Sequence, residues 1–143
     1  MPDTPMTRGQ TALAAAFLIA LTATLGALFI GEVLGRMPCT LCWYQRIAMF
    51  PLVVILGLGL WRDDPSVWLT VLPLALGGAA VALWHSGLYA GLIPAPIIPC
   101  TANGPSCTDA AAQTVLGLPL PYLSLASFSA ILALVPLMKG PSR

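Results

Sequence analysis

A chain of 143 residues that is 58% hydrophobic and 8% charged lies far from the roughly 45–50% apolar and 25% charged make-up of soluble domains. Four apolar runs, each near the ~20 residues needed to span a bilayer, use up nearly its whole length and leave no room for a separate soluble domain. The net charge of +1 comes with no basic stripe, which excludes a nucleic-acid partner.

Residues 1–10 read as a short polar cytoplasmic tail carrying Arg8. Residues 11–30 form an uncharged run of twenty, longer than the ~7–15-residue apolar region of a secretory signal peptide, so they read as a retained first span over about 11–31. Glu32 and Arg36 close it. The second span, about 42–61, poses a length problem, because only fifteen residues separate Arg46 from Arg62. Sixteen helical steps cover ~24 Å of a ~30 Å hydrocarbon core. Arg46 is therefore expected about one turn inside the membrane, with Cys42 near the outer boundary and, as its i−4 neighbour, on the same helix face. Pro51 is a candidate kink in this span.

Asp64 is placed to cap the third span, about 66–85, with Pro65 at its first position. His85 follows Asp64 by ~32 Å of helix, which brings it to the level of Cys42. Residues 88–117 are rich in Pro, Gly and Thr and read as a long loop, with Cys100 and Cys107 flanking six residues. Asn103-Gly104-Pro105 is a turn signal that carries the two cysteines back towards each other. The fourth span, about 118–138, has Pro119 and Pro121 in its first turn. The expected fold is an all-α integral membrane four-helix bundle. Alternating the spans sets Arg8, Arg62, Lys139 and Arg143 against Arg36 and Arg46, and the positive-inside rule makes the first side cytoplasmic. Both termini are then cytoplasmic, and both cysteine pairs face the outside, where disulfides persist.

Cys39 and Cys42 have the spacing of a dithiol couple, and a helix N-terminus favours the thiolate that such chemistry uses. A structural disulfide, half of a zinc site or two small buried hydrophobes are the plainer readings of the same pair. Cys100 and Cys107 can be a structural staple, but two outward-facing pairs at one membrane face can exchange electrons through a mixed disulfide. A four-cysteine zinc site usually has closer spacing than theirs, and no metal is assigned. Arg46 calls for an anionic partner, since a charge at mid-bilayer costs at least ~2.5–3.5 kcal/mol. That partner is either the Cys42 thiolate or a reduced quinone, and the plain alternative is an arginine snorkelling to lipid headgroups. His85 is a candidate proton donor, or simply a solvated interfacial histidine. Trp43, Tyr44, Trp68 and Trp84 read as interfacial belts.

The stretch Cys39-Thr40-Leu41-Cys42-Trp43-Tyr44-Gln45-Arg46-Ile47-Ala48-Met49-Phe50-Pro51 resembles the first-loop signature of the disulfide bond formation protein B (DsbB) family, in its short form. The resemblance extends to Trp84-His85-Ser86-Gly87-Leu88-Tyr89 and to the tail from Cys107 through Leu116-Gly117-Leu118-Pro119. It implies a protein-disulfide oxidoreductase of the bacterial cytoplasmic membrane. Such an enzyme reoxidises a soluble DsbA-like thioredoxin-fold partner and passes the electrons to membrane quinone, ubiquinone or menaquinone. By the same resemblance Cys100 forms the mixed disulfide with the partner and Cys107 resolves it. Electrons then pass to Cys39 and Cys42, with Cys42 beside the quinone and Arg46 and His85 close to it. The loop between Cys100 and Cys107 is shorter than in some members, and Gln45 stands where some carry an acidic residue, a difference expected to matter little. The alternatives are a vitamin K epoxide reductase-like quinone reductase, whose quinone-proximal pair usually comes late in the chain, and a membrane scaffold with structural disulfides or a zinc clip.

Overall fold

The computed structural model describes residues 5–94 and 114–139. The described chain is a bundle of four helices, each long and apolar enough to cross a membrane. Helix α1 (Arg8–Leu28) runs on into a π-helical turn (Phe29–Val33), α2 covers Thr40–Arg62, a 3-10 turn (Pro65–Val67) leads into α3 (Trp68–Tyr89), and α4 is Leu120–Met138. Cys100, Cys107, Asn103-Gly104-Pro105 and Arg143 lie outside the described residues.

The elements begin and end where local chemistry dictates, not always where hydropathy alone placed them. Helix α1 starts three residues before the expected 11–31 span, because Thr7 and Gln10 form a capping box that satisfies the first backbone donors. Helix α2 starts at Thr40 instead of 42, with Cys39 as its N-cap, and runs unbroken through Pro51. It stops at Asp63, whose φ of 58° is a left-handed helix end. Asp64 caps the next turn, its Oδ1 accepting from the Ser66 N–H at 2.9 Å with Pro65 at the first position. Hydrogen bonding to the Ser66 side chain, and then to its backbone N–H, holds the Asp64 carboxyl below the usual carboxylate range. Helix α3 continues one turn past the expected end at His85, to Tyr89, with Gly91 at φ 76° just beyond. Helix α4 begins at Leu120 instead of 118, because Leu118 and Pro119 are drawn into a small hairpin. Strand β1 (Thr114–Val115) pairs antiparallel with β2 (Leu118–Pro119) across Leu116 and Gly117, whose φ values of 53° and 78° make a two-residue turn.

Helix α1 packs on α2 and α4, and α3 packs on the same two, which closes the bundle into a ring. Ala12, Ala16 and Ala20 recur every fourth residue of α1 and are buried; such small residues let backbones approach closely. The core between the helices holds Leu13, Leu52, Leu56, Val71, Phe128 and Ile131. Phe128 lies so close to α3 that a Cβ on Gly78 would stand 2.2 Å from its ring. Large apolar side chains also face outward. Leu69, Leu76 and Leu83, spaced seven residues apart on α3, are 62%, 52% and 63% exposed, a stripe for lipid and not for water.

One end of the bundle gathers the N-termini of α1 and α3 with the C-termini of α2 and α4. There Gln10 donates to Asp63, and the Lys139 Nζ stands 4.1 Å from the centre of the Trp68 ring. The opposite end carries Arg36, the Cys39–Cys42 pair and His85.

A candidate redox centre

The centre is assembled where α2 begins and α3 nears its end. Cys39 closes the non-helical 34–39 segment and caps α2, its sulfur accepting from the Cys42 N–H at 3.3 Å. Cys42 sits one helical turn on, which brings the two sulfurs to 2.9 Å. Both cysteines are in the dithiol form, and a disulfide at ~2.05 Å is less than an ångström of closure away.

Cys39, just ahead of the second span, is 2% exposed. The hydrogen bond with Cys42 and then burial push its pKa up to about 12, against a smaller opposing pull from His85. At Cys39 these effects outweigh the expected favouring of thiolate by the helix N-terminus. Donation from the Cys42 N–H acts in the expected direction, but a thiol shared between two sulfurs and removed from water holds its proton more strongly.

His85 is fully buried, its Nε2 lying 3.8 Å from the Cys39 sulfur and its Nδ1 2.9 Å from Gln45 Nε2. With the Gln45 amide donating, Nδ1 accepts, and the ring proton resides on Nε2 facing Cys39. Gln45 is 7% exposed, so the residue expected to matter little is the buried support of the histidine. Its signal in the sequence is a polar amide one turn into an apolar span, which needs a partner inside the bundle. The partner lies on another helix, 40 residues on, and no spacing rule finds it.

Arg46 stands on the other side of the pair. Its Nη2 donates to the Ala27 carbonyl at 2.8 Å, and its guanidinium carbon lies 5.5 Å from the centre of the Trp43 ring. A Cβ on Gly31 would come within 3.4 Å of both terminal guanidinium nitrogens, so the glycine leaves room for the side chain against the π-helical turn. Arg46 thus folds onto α1.

Cys39, Cys42, Gln45 and Arg46 line one cavity of about 580 Å³. Leu18, Thr22, Gly26 and Ile30 of α1 form another wall, and Leu120, Leu123, Ser124 and Ser127 of α4 a third. The lining is mainly apolar, with Arg46 and Arg36 as its charged members. His85, expected beside this space, does not line it and reaches it only through Cys39 and Gln45. Arg36 Nη1 also donates to the Thr114 carbonyl at 2.8 Å, and Tyr89 Oη lies 3.3 Å from Thr114 Oγ1. The chain entering β1 is thereby fastened near Cys39.

The arrangement can hold a dithiol or a disulfide next to an apolar chamber with a fixed positive charge, and can shield both from bulk water. The sequence profile of the family described as disulfide bond formation protein DsbB matches residues 9–138. A probable disulfide formation protein from Metapseudomonas resinovorans is 54% identical over 124 residues, covering 86% of this chain and 85% of its own. Disulfide bond formation protein C from Bacillus subtilis is 37% identical over 90% of this chain and 92% of its own. A probable disulfide formation protein from Deinococcus radiodurans is 39% identical over 88% and 87% of the two chains. No solved structure matches.

Proposed function

Because this chain belongs to the disulfide bond formation protein DsbB family, a multi-pass membrane family acting in disulfide bond formation, we propose that it works as a membrane thiol:quinone oxidoreductase. Its thiol substrate is a soluble, extracytoplasmic, DsbA-like dithiol protein, and its acceptor is a membrane quinone. The observation that carries this reading is the cavity with Cys42 and Arg46 on one wall.

The residues around the cavity fit a quinone. The chamber is large enough for a substituted ring, and its walls suit an apolar tail. Arg46 and the hydroxyl of Ser124 are the donors that would hold carbonyl oxygens. A bound quinone supplies an acceptor for two electrons and two protons.

The protein's own residues divide the remaining work. One partner thiolate attacks the Cys100–Cys107 disulfide at Cys100 and releases Cys107 as thiolate, and the partner's second thiol then displaces Cys100, so the partner leaves oxidised and the loop pair is reduced. A loop thiolate then attacks the Cys39–Cys42 disulfide at Cys39, and Cys42, which lines the cavity beside Arg46, is released as thiolate. Arg46, one turn further along the same face, offsets that negative charge. The His85 Nε2–H, held in place by Gln45, faces Cys39 and can steady its sulfur when the loop cysteine departs. Arg8, Arg62 and Lys139 at the opposite end favour placing the cysteine end outside the bacterial cytoplasmic membrane.

The test is quinone reduction, followed by absorbance, by purified protein in detergent given a reduced thioredoxin-like partner. Cys42→Ser is expected to abolish turnover, and Arg46→Ala to lower kcat/KM for quinone by about tenfold or more. Full turnover in Cys42→Ser would sink the reading, as would inactivity of the folded wild type with both quinone classes.

A further inference from the structure

We propose that the dithiol form of this centre is a redox-gated site for one soft divalent cation of the zinc and cadmium class, held by Cys39, Cys42 and His85, and that the disulfide form does not bind it. The inference needs only the reduced pair and does not depend on the quinone reading.

The two sulfurs and the nearest imidazole nitrogen all lie within 4.8 Å of one another. A tetrahedral site with metal–sulfur bonds of ~2.3 Å and metal–nitrogen bonds of ~2.0–2.1 Å needs S···S near 3.8 Å and S···N near 3.5 Å. The Cys39 Sγ to His85 Nε2 distance is 3.8 Å and the Sγ–Sγ distance is 2.9 Å. One edge is therefore already within a few tenths of an ångström. The Sγ–Sγ edge opens by less than an ångström and the third, from Cys42 Sγ to the imidazole, lies within 4.8 Å, so rotation of the two cysteine side chains adjusts both.

The surroundings supply what such a site needs beyond its ligands. A metal-bound histidine donates its other N–H to a fixed acceptor. Gln45 stands 2.9 Å from His85 Nδ1, and a half-turn of its amide presents oxygen to an Nδ1–H, which leaves the Nε2 lone pair for the cation. Two thiolates neutralise a divalent charge, so the loaded site carries no net charge into a place where His85 has no exposure. Cys42 borders the cavity, which leaves the fourth position to water or a small anion.

Loading exchanges two thiol protons for one cation and moves no electrons. Closing the disulfide removes both sulfur donors and expels the metal. A soft cation reaching the cysteine face therefore traps the pair reduced and blocks electron flow through it.

The experiment uses the full chain in detergent with Cys100→Ser and Cys107→Ser, so that no other thiol competes. The protein is reduced with a phosphine and titrated with Cd²⁺, followed by the ultraviolet thiolate–cadmium absorption and by proton release. One equivalent with about two protons released is expected, with no uptake after oxidation to the disulfide. His85→Ala is expected to weaken binding by at least about tenfold and Gln45→Leu by about tenfold. X-ray absorption at the cadmium edge, with His85 intact, is expected to give two sulfurs and imidazole scattering. The proposal is overturned by no uptake, by equal uptake in the disulfide form, by unchanged affinity in a folded His85→Ala protein, or by a ligand shell without imidazole. Lack of uptake in a wild-type chain that turns over quinone would remove this inference alone.

Discussion

Cys39 meets two opposing demands, since the N-cap position offers its sulfur a backbone donor while the neighbouring thiol and burial hold its proton on. With a pKa of about 12, only about one molecule in ten thousand carries a Cys39 thiolate at pH 8. Iodoacetamide at that pH is thus expected to modify Cys42 well before Cys39 in reduced protein. The largest contribution raising Cys39 comes from Cys42 and the opposing one from His85, which fixes the sign of two substitutions. Cys42→Ala is expected to move the pH dependence of Cys39 alkylation to lower pH, and His85→Ala to higher pH, both read by mass spectrometry. Shifts in the same direction would contradict this account. The Cys-x-x-Cys pair and the placing of Cys42 and Arg46 one turn apart on the same helix were legible from spacing because both are properties of one helix. The support of His85 by Gln45 was not, because it depends on how α2 and α3 are rotated against each other.

Among the elements, the contact of α3 with α4 turns on one pairing of a small residue with a large one. The Phe128 ring occupies the space that a Gly78 side chain would take, and Phe128 is fully buried. Phe128→Ala is expected to cost about 3 kcal/mol. Gly78→Ala is expected to destabilise as well, and Gly78→Ala combined with Phe128→Leu to recover part of the loss, because the smaller side chain vacates the clash. Thermal unfolding in a single detergent measures all three, and strictly additive losses would show that the pair does not interact. Hydropathy found all four helices, since twenty apolar residues can hardly be anything else in this composition. It could not find their ends, because Thr7–Gln10, Cys39 and the Leu116–Gly117 turn act through individual hydrogen bonds and φ values that average hydropathy does not register. The π-helical turn at Phe29–Val33 escaped for the same reason, although the position of Arg46 depends on the space beside it.

For the molecule as a whole, Arg8, Arg62 and Lys139 lie at one end of the bundle and Cys39 and Cys42 at the other, and that asymmetry can be tested directly. In right-side-out spheroplasts, a membrane-impermeant maleimide is expected to label reduced Cys100 and Cys107 but not a cysteine introduced at Ser66, with the reverse in inverted vesicles. Equal labelling of Ser66→Cys and the loop cysteines from one side would refute the proposed orientation. The fastening of Thr114 to Arg36 and Tyr89 has a further consequence, which concerns rates. Cys100 is six residues from Pro94 and Cys107 seven from Thr114, tethers that reach ~20–25 Å when fully extended. Thr114 is tied to Arg36 and Ile93 packs against the cluster that holds Cys39, so in the proposed exchange the loop pair would meet its target as part of the same molecule, at an effective concentration on the millimolar scale. The proposed internal hand-over would then be first order and insensitive to how much enzyme the membrane holds, while only the encounters with the proposed partner and acceptor would depend on their abundance. Cutting the chain between Pro94 and Cys100 would leave one tether, and Arg36→Ala would loosen the other. Either change lengthens the search that the intact anchor keeps short.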